Sequence, residues 1–401
     1  MLKYVVLLAD GMADESCEEL NGKTPLEVAN TPHMDWLACK GEIGTAYTIP
    51  KGFPPGSDVA NLSVMGYSPK IFYTGRSPLE AVSMGIHLDD KDTAFRCNLV
   101  TLSGEEDYKE KKMLDYCAGE ISSEESAQLI AQINASFASE NVCFYPGVSS
   151  RHLMVWSSGA ENTSLTPPHD ISGEKIATYL PEGEGSETIY SLMKNSYSVL
   201  EDEPVNMARI QKGTNPANSI WLWGQGKKPS LDGFTEKYGL KGAVISAVDL
   251  IKGIGICAGM EVLDVPGATG NIHTNFVGKA ETALRSLESG LDYVYIHIEA
   301  PDEASHQGDL KTKIKAIEKI DEILGQILQG LKIREEFKIM VLPDHPTPMR
   351  TRTHSSDPVP FVIYDSRTEK RENRTFNEDT AAEAPLVIAE GHKLMDYFLT
   401  K

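Results

Sequence analysis

No two of the six cysteines, Cys17, Cys39, Cys97, Cys117, Cys143 and Cys257, have CxxC spacing, and none stands beside a histidine. Neither a disulfide framework, a zinc knuckle nor a thiol nucleophile is signalled, so reduced core thiols are expected. An apolar stretch of the ~20 residues a membrane helix needs is missing as well. Met1 runs into a predicted strand without a charged leader or a small-residue cleavage site. The expectation is a soluble, cytoplasmic protein with no membrane partner. Positive charge is scarce: 38 Lys and Arg stand against 58 Asp and Glu, giving a formal net charge of −20 and a pI near 5.0. Without a basic face the chain is not a nucleic-acid binder, and any anionic ligand must be small and locally neutralised. No internal repeat and no Gly-x-x-x-x-Gly-Lys-Ser/Thr phosphate loop is present. Nothing in the sequence marks an oligomeric state.

What is there is a repeated coincidence of apolar runs with metal-competent residues. The runs Tyr4–Asp10, Tyr293–His306 and Phe337–His345 each end in Asp or His. Such runs read as buried parallel strands, and side chains just beyond the carboxyl ends of such strands share one crevice. That crevice gathers Asp10, Asp302, His306, Asp344 and His345, with His354 close behind. Three carboxylates and three imidazoles in one place repel and desolvate one another unless cations neutralise them. The pattern points to two divalent ions. Carboxylate and imidazole without thiolate suit Mn²⁺, Mg²⁺ or Zn²⁺, and the sequence leaves the choice open.

At 401 residues the chain predicts a large α/β domain with a smaller partner. Residues 1–95 and 185–401 form the predicted metal-binding core, and 96–184, with short strand-like runs and acidic loops, form an inserted α+β domain. Thr24-Pro25 opens one helix, Pro32 to Gly41 spans a second, and Ser186–Leu200 and Lys311–Leu331 predict two more. The last carries isoleucines and leucines at spacings of three and four, which is a core face. Gly253-Ile254-Gly255-Ile256-Cys257-Ala258 matches a dinucleotide fingerprint but follows a helix-like segment, so a turn is expected. His297, inside an apolar run, reads as a satisfied core residue. His33, His87, His169, His273 and His392 lack partners at ligand spacing, and Ser366–Asp379 reads as a solvated charged loop.

Lys51–Asp58 is a proline- and glycine-rich loop that delivers Ser57 to a predicted helix start at Asp58–Met65. Ser57 can serve there as a helix cap. It can equally be a nucleophile, set where backbone N–H groups face an incoming phosphate and where metals would activate it. Taken together, Asp10, Ser57, Asp302-x-x-x-His306, Asp344-His345 and His354 resemble the metal core of the alkaline phosphatase superfamily. The segment Gly56-Ser57-Asp58-Val59-Ala60-Asn61-Leu62 resembles the nucleophile segment of cofactor-independent phosphoglycerate mutases. Gly22–Met34, Thr74–Ala81, Phe95–Val100, Thr166–Ile171, Ile220–Gly226 and Ala243–Gly255 are similar to the shorter, archaeal-type branch, so the resemblance spans nearly the whole chain.

The resemblance implies an alkaline-phosphatase-like α/β core with a mostly parallel sheet. It implies one metal held by Asp10, Ser57, Asp344 and His345, and a second by Asp302, His306 and His354, with Mn²⁺ the leading candidate. It further implies that Ser57 takes a phosphoryl group from 3- or 2-phosphoglycerate and returns it to the neighbouring hydroxyl, with no bisphosphate cofactor. The inserted domain would close over this small phosphorylated metabolite. Arg96, Arg151, His152 and Lys252 are nominated to grip it, because a doubly anionic ligand requires guanidinium and ammonium groups. Each also has a structural reading: surface ion pairs for the arginines, a core residue for His152, and complementation of a helix dipole for Lys252. The same serine and metals could serve a homoserine kinase of this branch, or a metal-dependent phosphatase or phosphonate hydrolase. A non-enzymatic metal-binding protein is disfavoured, since every nominated ligand has a metal-competent side chain.

Overall fold

The computed structural model describes residues 2–333, 336–368 and 372–400. The chain divides into two compact units, residues 1–73 with 230–401, and residues 74–229. The second unit is wider than the 96–184 expected from sequence. The Ser219–Lys227 strand pairs antiparallel with Asp92–Leu102, and the Ser186–Leu200 helix buries Ile189, Met193 and Leu200 in the same core. Local pattern cannot show this, because a helix followed by a strand reads the same in either unit.

The first unit is built on an eight-stranded sheet. Its strand order is Glu261–Val262, Gly242–Ile245, Tyr293–Ile298, Lys3–Ala9, Phe337–Leu342, Val359–Asp365, Glu42–Ala46 and Leu386–Ile388. Among the described residues, only the strand Val359–Asp365 runs against its neighbours. The three central strands are wholly buried, which is why they read as continuous apolar runs instead of alternating ones. Their register aligns Leu8 with both His297 and Leu342, so their carboxyl ends finish side by side.

Helices cover the sheet, and their ends follow local signals. Pro25–Val28 starts with a capping box between Thr24 and Glu27, and Pro32–Lys40 begins on proline. In Leu310–Lys332 the buried side chains include Ile317, Ile320, Ile323, Leu324, Ile327, Leu328 and Leu331. Each such side chain contributes about 1.5–3 kcal/mol by leaving water. Gly253 to Gly255 lie inside the Asp249–Cys257 helix, not in a turn as the sequence suggested. A Cβ on Gly255 would come within 2.7 Å of Val244 Cγ2, so glycine is what lets this helix lie close on the Gly242–Ile245 strand.

The second unit is an antiparallel sheet in which Asp92–Leu102 pairs with Arg151–Ser157, Ser219–Lys227 and Met113–Asp115, and Arg151–Ser157 also pairs with Val142–Val148. The Ser123–Phe137 helix packs Leu129, Ile130 and Ile133 into its core. All six cysteines are free. Among the described residues no helix is long and apolar enough to cross a membrane. Ser366–Asp379 lies partly outside the described residues, and its latter part includes the start of the Glu378–Glu383 helix.

Candidate metal centre and active site

Beyond the ends of the three central strands, the first unit brings together all seven residues nominated from sequence as ligands or nucleophile. Asp10 follows the Lys3–Ala9 strand directly. Asp344 and His345 stand just past Phe337–Leu342. Asp302 and His306 lie one helical turn apart on Ala300–Gln307, with His306 Nε2 3.1 Å from Asp302 Oδ2. His354 Nε2 lies 3.0 Å from His306 Nε2 and 3.4 Å from Asp302 Oδ1. His345 Nε2 lies 3.7 Å from Asp10 Oδ1 and 3.4 Å from Asp344 Oδ2. The trios Asp10, Asp344, His345 and Asp302, His345, His354 each place one donor atom per residue within 4.8 Å of the others. His345 belongs to both, and its ring stacks on His354 with centroids 3.9 Å apart.

Ser57 is the first residue of the Ser57–Val64 helix and does not cap it: Gly56 holds the cap position, with no side-chain cap bond. Its hydroxyl instead lies 3.1 Å from His345 Nε2. The cluster grades from buried Asp10, Asp344 and His345 to an exposed His306, which leaves one end open to a ligand. Gly11, at φ +64°, makes the turn out of the first strand and donates its N–H to Asp344 Oδ1 at 3.2 Å. A Cβ there would meet Asp302 at 2.7 Å.

The electrostatics call for positive charge. Burial pushes the Asp10 carboxyl well above its ordinary range, and Asp344, Asp302 and Glu299 push it further. Burial acts in the same sense on Asp302, but hydrogen bonds from His306 and His354 override it and hold that carboxyl well below the usual range. The Asp302 bond raises His306 to about 9. At His354 the same carboxylate outweighs burial and raises the imidazole, whereas burial lowers His345.

The residues fit divalent cations on three counts. Asp10 Oδ1 is buried with no hydrogen-bond partner among the described residues. Each imidazole has an acceptor at Nδ1: Arg352 O at 2.9 Å for His306, Pro55 O at 3.4 Å for His354 and Thr347 Oγ1 at 3.2 Å for His345. Committing the Nδ1 protons leaves the three Nε2 lone pairs facing inward, the arrangement of metal-binding imidazoles. Finally, two Nε2 atoms 3.0 Å apart must share a proton or a cation, and Asp302 beside them favours the larger charge.

Three residues of this site carried no such signal in the sequence. Asn61 donates to Ser57 O and to Asp344 Oδ2, both at 2.9 Å, and accepts from Tyr295 Oη at 2.6 Å. His297 is the buried, satisfied residue expected, yet its partners are Ser246 Oγ at 3.2 Å and Asp10 Oδ2 at 3.0 Å, so it braces the site. Thr347 Oγ1 lies 2.6 Å from Asp302 Oδ1.

The four residues nominated for substrate contacts are placed as follows. In the second unit Arg96 is buried and ion-paired with Glu80, which also pairs with Arg76 at 3.4 Å. Both guanidiniums lie 5.8 Å from the centre of the Trp223 ring. Burial lowers Arg96 to about 10, with Arg76 and Arg151 adding to the effect. Arg151 is exposed. Neighbouring His152 is buried, accepts from Gly147 N at 3.0 Å through Nδ1, and leaves Nε2 without a partner among the described residues. Lys252, in the first unit, lies inside the Asp249–Cys257 helix instead of ending it, and pairs with Asp264 at 3.3 Å.

A family described as 2,3-bisphosphoglycerate-independent phosphoglycerate mutase matches residues 38–206. The chain is 51% identical over 402 residues to a probable 2,3-bisphosphoglycerate-independent phosphoglycerate mutase of Geobacter sulfurreducens, covering 100% of both chains. It is 50% identical over 401 residues to the mutase of that name from Methanosarcina barkeri, covering 98% of each. Among solved structures, a protein of Pyrococcus horikoshii superposes with a TM-score of 0.84 at 30% identity, covering 100% of this chain and 97% of that one. The cofactor-independent phosphoglycerate mutase of Thermoplasma acidophilum gives 0.66 at 26% identity, covering 100% and 99%. With half its residues shared along its full length, the chain belongs to the 2,3-bisphosphoglycerate-independent phosphoglycerate mutase family.

Proposed function

We propose that the protein interconverts 3-phosphoglycerate and 2-phosphoglycerate through a phosphoserine on Ser57. The observation that carries this reading is the Ser57 hydroxyl, freed from capping and 3.1 Å from His345 Nε2 at the edge of three carboxylates. Ser57 Oγ gives up its proton and bonds to phosphorus as the ester bond to glycerate breaks, and the freed glycerate oxygen takes up one proton in exchange. The glycerate then turns, its other hydroxyl loses its proton and attacks the same phosphorus, and the Oγ–P bond breaks as Ser57 Oγ is reprotonated. The N–H groups of Ser57 and Asp58, which open the Ser57–Val64 helix, suit the phosphoryl oxygens, whereas that of Val59 is taken by Asp58 Oδ1 at 3.0 Å. Water must stay out during the reorientation, or the phosphoserine hydrolyses.

We assign one divalent ion to Asp10, Ser57, Asp344 and His345, and a second to Asp302, His306 and His354, with His345 lying between the two groups. Oxygen and imidazole donors without thiolate favour Mn²⁺ over a structural zinc centre. Bound there, such cations supply the charge that lowers the serine pKa and balances the transferring phosphoryl group. For the carboxylate and phosphate of the substrate we propose Arg96, Arg151, His152 and Lys252. The second unit's share rests on its own features: Arg96 held in place by Glu80 and Trp223, and a buried His152 imidazole with a spare nitrogen. On this reading the 74–229 unit has a substrate-binding role, and a soluble metabolite of this kind suits a cytoplasmic protein.

Turnover of 3-phosphoglycerate coupled to enolase in the presence of Mn²⁺, without ATP or bisphosphoglycerate, is the test. Activity supports the mutase. ATP-dependent phosphorylation of homoserine in its place would reassign the chain to a kinase, and release of phosphate alone would reassign it to a hydrolase.

A further inference from the structure

We infer that Thr347 is a positioning residue whose single hydroxyl ties together the two halves of the metal centre. The inference rests on the metal reading above and adds to it a residue that binds no metal itself. Thr347 is fully buried. Its Oγ1 lies 2.6 Å from Asp302 Oδ1, a ligand proposed for one ion, and 3.2 Å from His345 Nδ1, on a ligand proposed for the other.

The proton count fixes the direction of these bonds. An ionised carboxylate can only accept, so the hydroxyl gives its one proton to Asp302. What His345 Nδ1 meets is then a lone pair, and Nδ1 must carry a hydrogen. Nε2 of the neutral ring is left as the bare nitrogen, and that is the atom facing Ser57 Oγ, Asp10 and Asp344. One proton on Thr347 therefore selects the His345 tautomer that can bind a cation, and the same bond restrains the Asp302 carboxylate. Such outer partners of metal-binding side chains orient the ligand and raise its affinity.

The hydroxyl is itself held from behind. Thr347 stands between Pro346 and Pro348, which restrict its backbone. Its N–H donates to Ala13 O at 3.1 Å, and its carbonyl accepts from Lys313 Nζ at 3.0 Å. Lys313 is fully buried and ion-paired with Asp14 at 2.7 Å. Asp14 also accepts from Met349 N at 3.2 Å. Two prolines, a buried ion pair and a backbone bond are more than a surface turn needs, and all of them bear on where Oγ1 sits.

The experiment is calorimetric titration of Mn²⁺ into the metal-free full chain, for wild type, Thr347→Val and Thr347→Ser, with thermal unfolding of each metal-free form. Wild type should bind two ions. Thr347→Val, equal in shape but lacking the hydroxyl, should weaken both binding steps by roughly 10–100-fold, and Thr347→Ser should stay within a few-fold of wild type. If Thr347→Val does not fold, the Thr347→Ser and Thr347→Ala pair isolates the hydroxyl, and only the alanine should lose affinity. Wild-type affinity in the variants without a hydroxyl, loss at one step alone, or equal loss in Thr347→Ser would overturn the inference. If wild type turns over phosphoglycerate and binds two ions while Thr347→Val binds them equally well, this inference fails and the function stands. If wild type binds no Mn²⁺, both fail together.

Discussion

Ser57 occupies a position where two uses of a hydroxyl compete, and Gly56 decides between them by taking the cap position in an extended conformation. With its oxygen left to face His345, we predict that Ser57→Ala lowers phosphoryl transfer by at least about 10³-fold and leaves the unfolding temperature of the metal-free protein unchanged; near-wild-type turnover would refute the nucleophile. The charged members of the site were legible in the sequence, because an Asp or His set directly after a buried apolar run must find a partner or bind an ion. Asn61, Thr347 and the partners of His297 were not, because a neutral polar side chain in a buried segment reveals its partner only after folding. A further group, the half-buried Glu378, accepts hydrogen bonds from Thr24 and from the N–H of Asp14. Burial pushes it up to about 7, against 4.5 ordinarily. Between these values the folded chain keeps a proton that the unfolded chain has lost, so stability falls as pH rises across that window, by at most about 3 kcal/mol. Glu378→Gln should therefore unfold at a higher temperature than wild type at pH 8 and at a similar one at pH 5, as thermal melts would show.

Helices and strands were recovered where a local rule and the tertiary structure agree. Thr24 before Pro25 and Glu27 announces a helix start, and the three-four spacing of Leu310–Lys332 matches its buried face. The Gly253–Gly255 segment shows the opposite case. Two glycines read locally as a turn, but close packing on Val244 keeps them inside a helix. Gly255→Val should thus destabilise the protein by about 1–3 kcal/mol through overpacking, with modest change from helix propensity. A denaturation midpoint equal to wild type would show that the helix can shift away at no cost. The boundary of the second unit was missed for a related reason: Ser219–Lys227 looks like another strand of the α/β pattern, and its pairing with Asp92–Leu102 is a long-range choice.

For the molecule as a whole, one end of the sheet gathers the candidate site. The in-register ends of Tyr293–Ile298, Lys3–Ala9 and Phe337–Leu342 bring the side chains proposed as ligands from three distant parts of the chain to one place. The acidic cluster lies in the first unit, where bound cations would neutralise it locally. We predict that exhaustive chelation abolishes activity, that Mn²⁺ restores it, and that the metal-free protein unfolds at a lower temperature, because ions bound only to the folded state add to its stability. Undiminished turnover after chelation would contradict the metal assignment. The most direct test of the central claim is to quench the Mn²⁺-loaded enzyme during turnover of 3-phosphoglycerate and locate phosphate on the chain by peptide mass spectrometry. Phosphate is expected on Ser57 alone; steady turnover with Ser57 never modified would contradict the phosphoserine route.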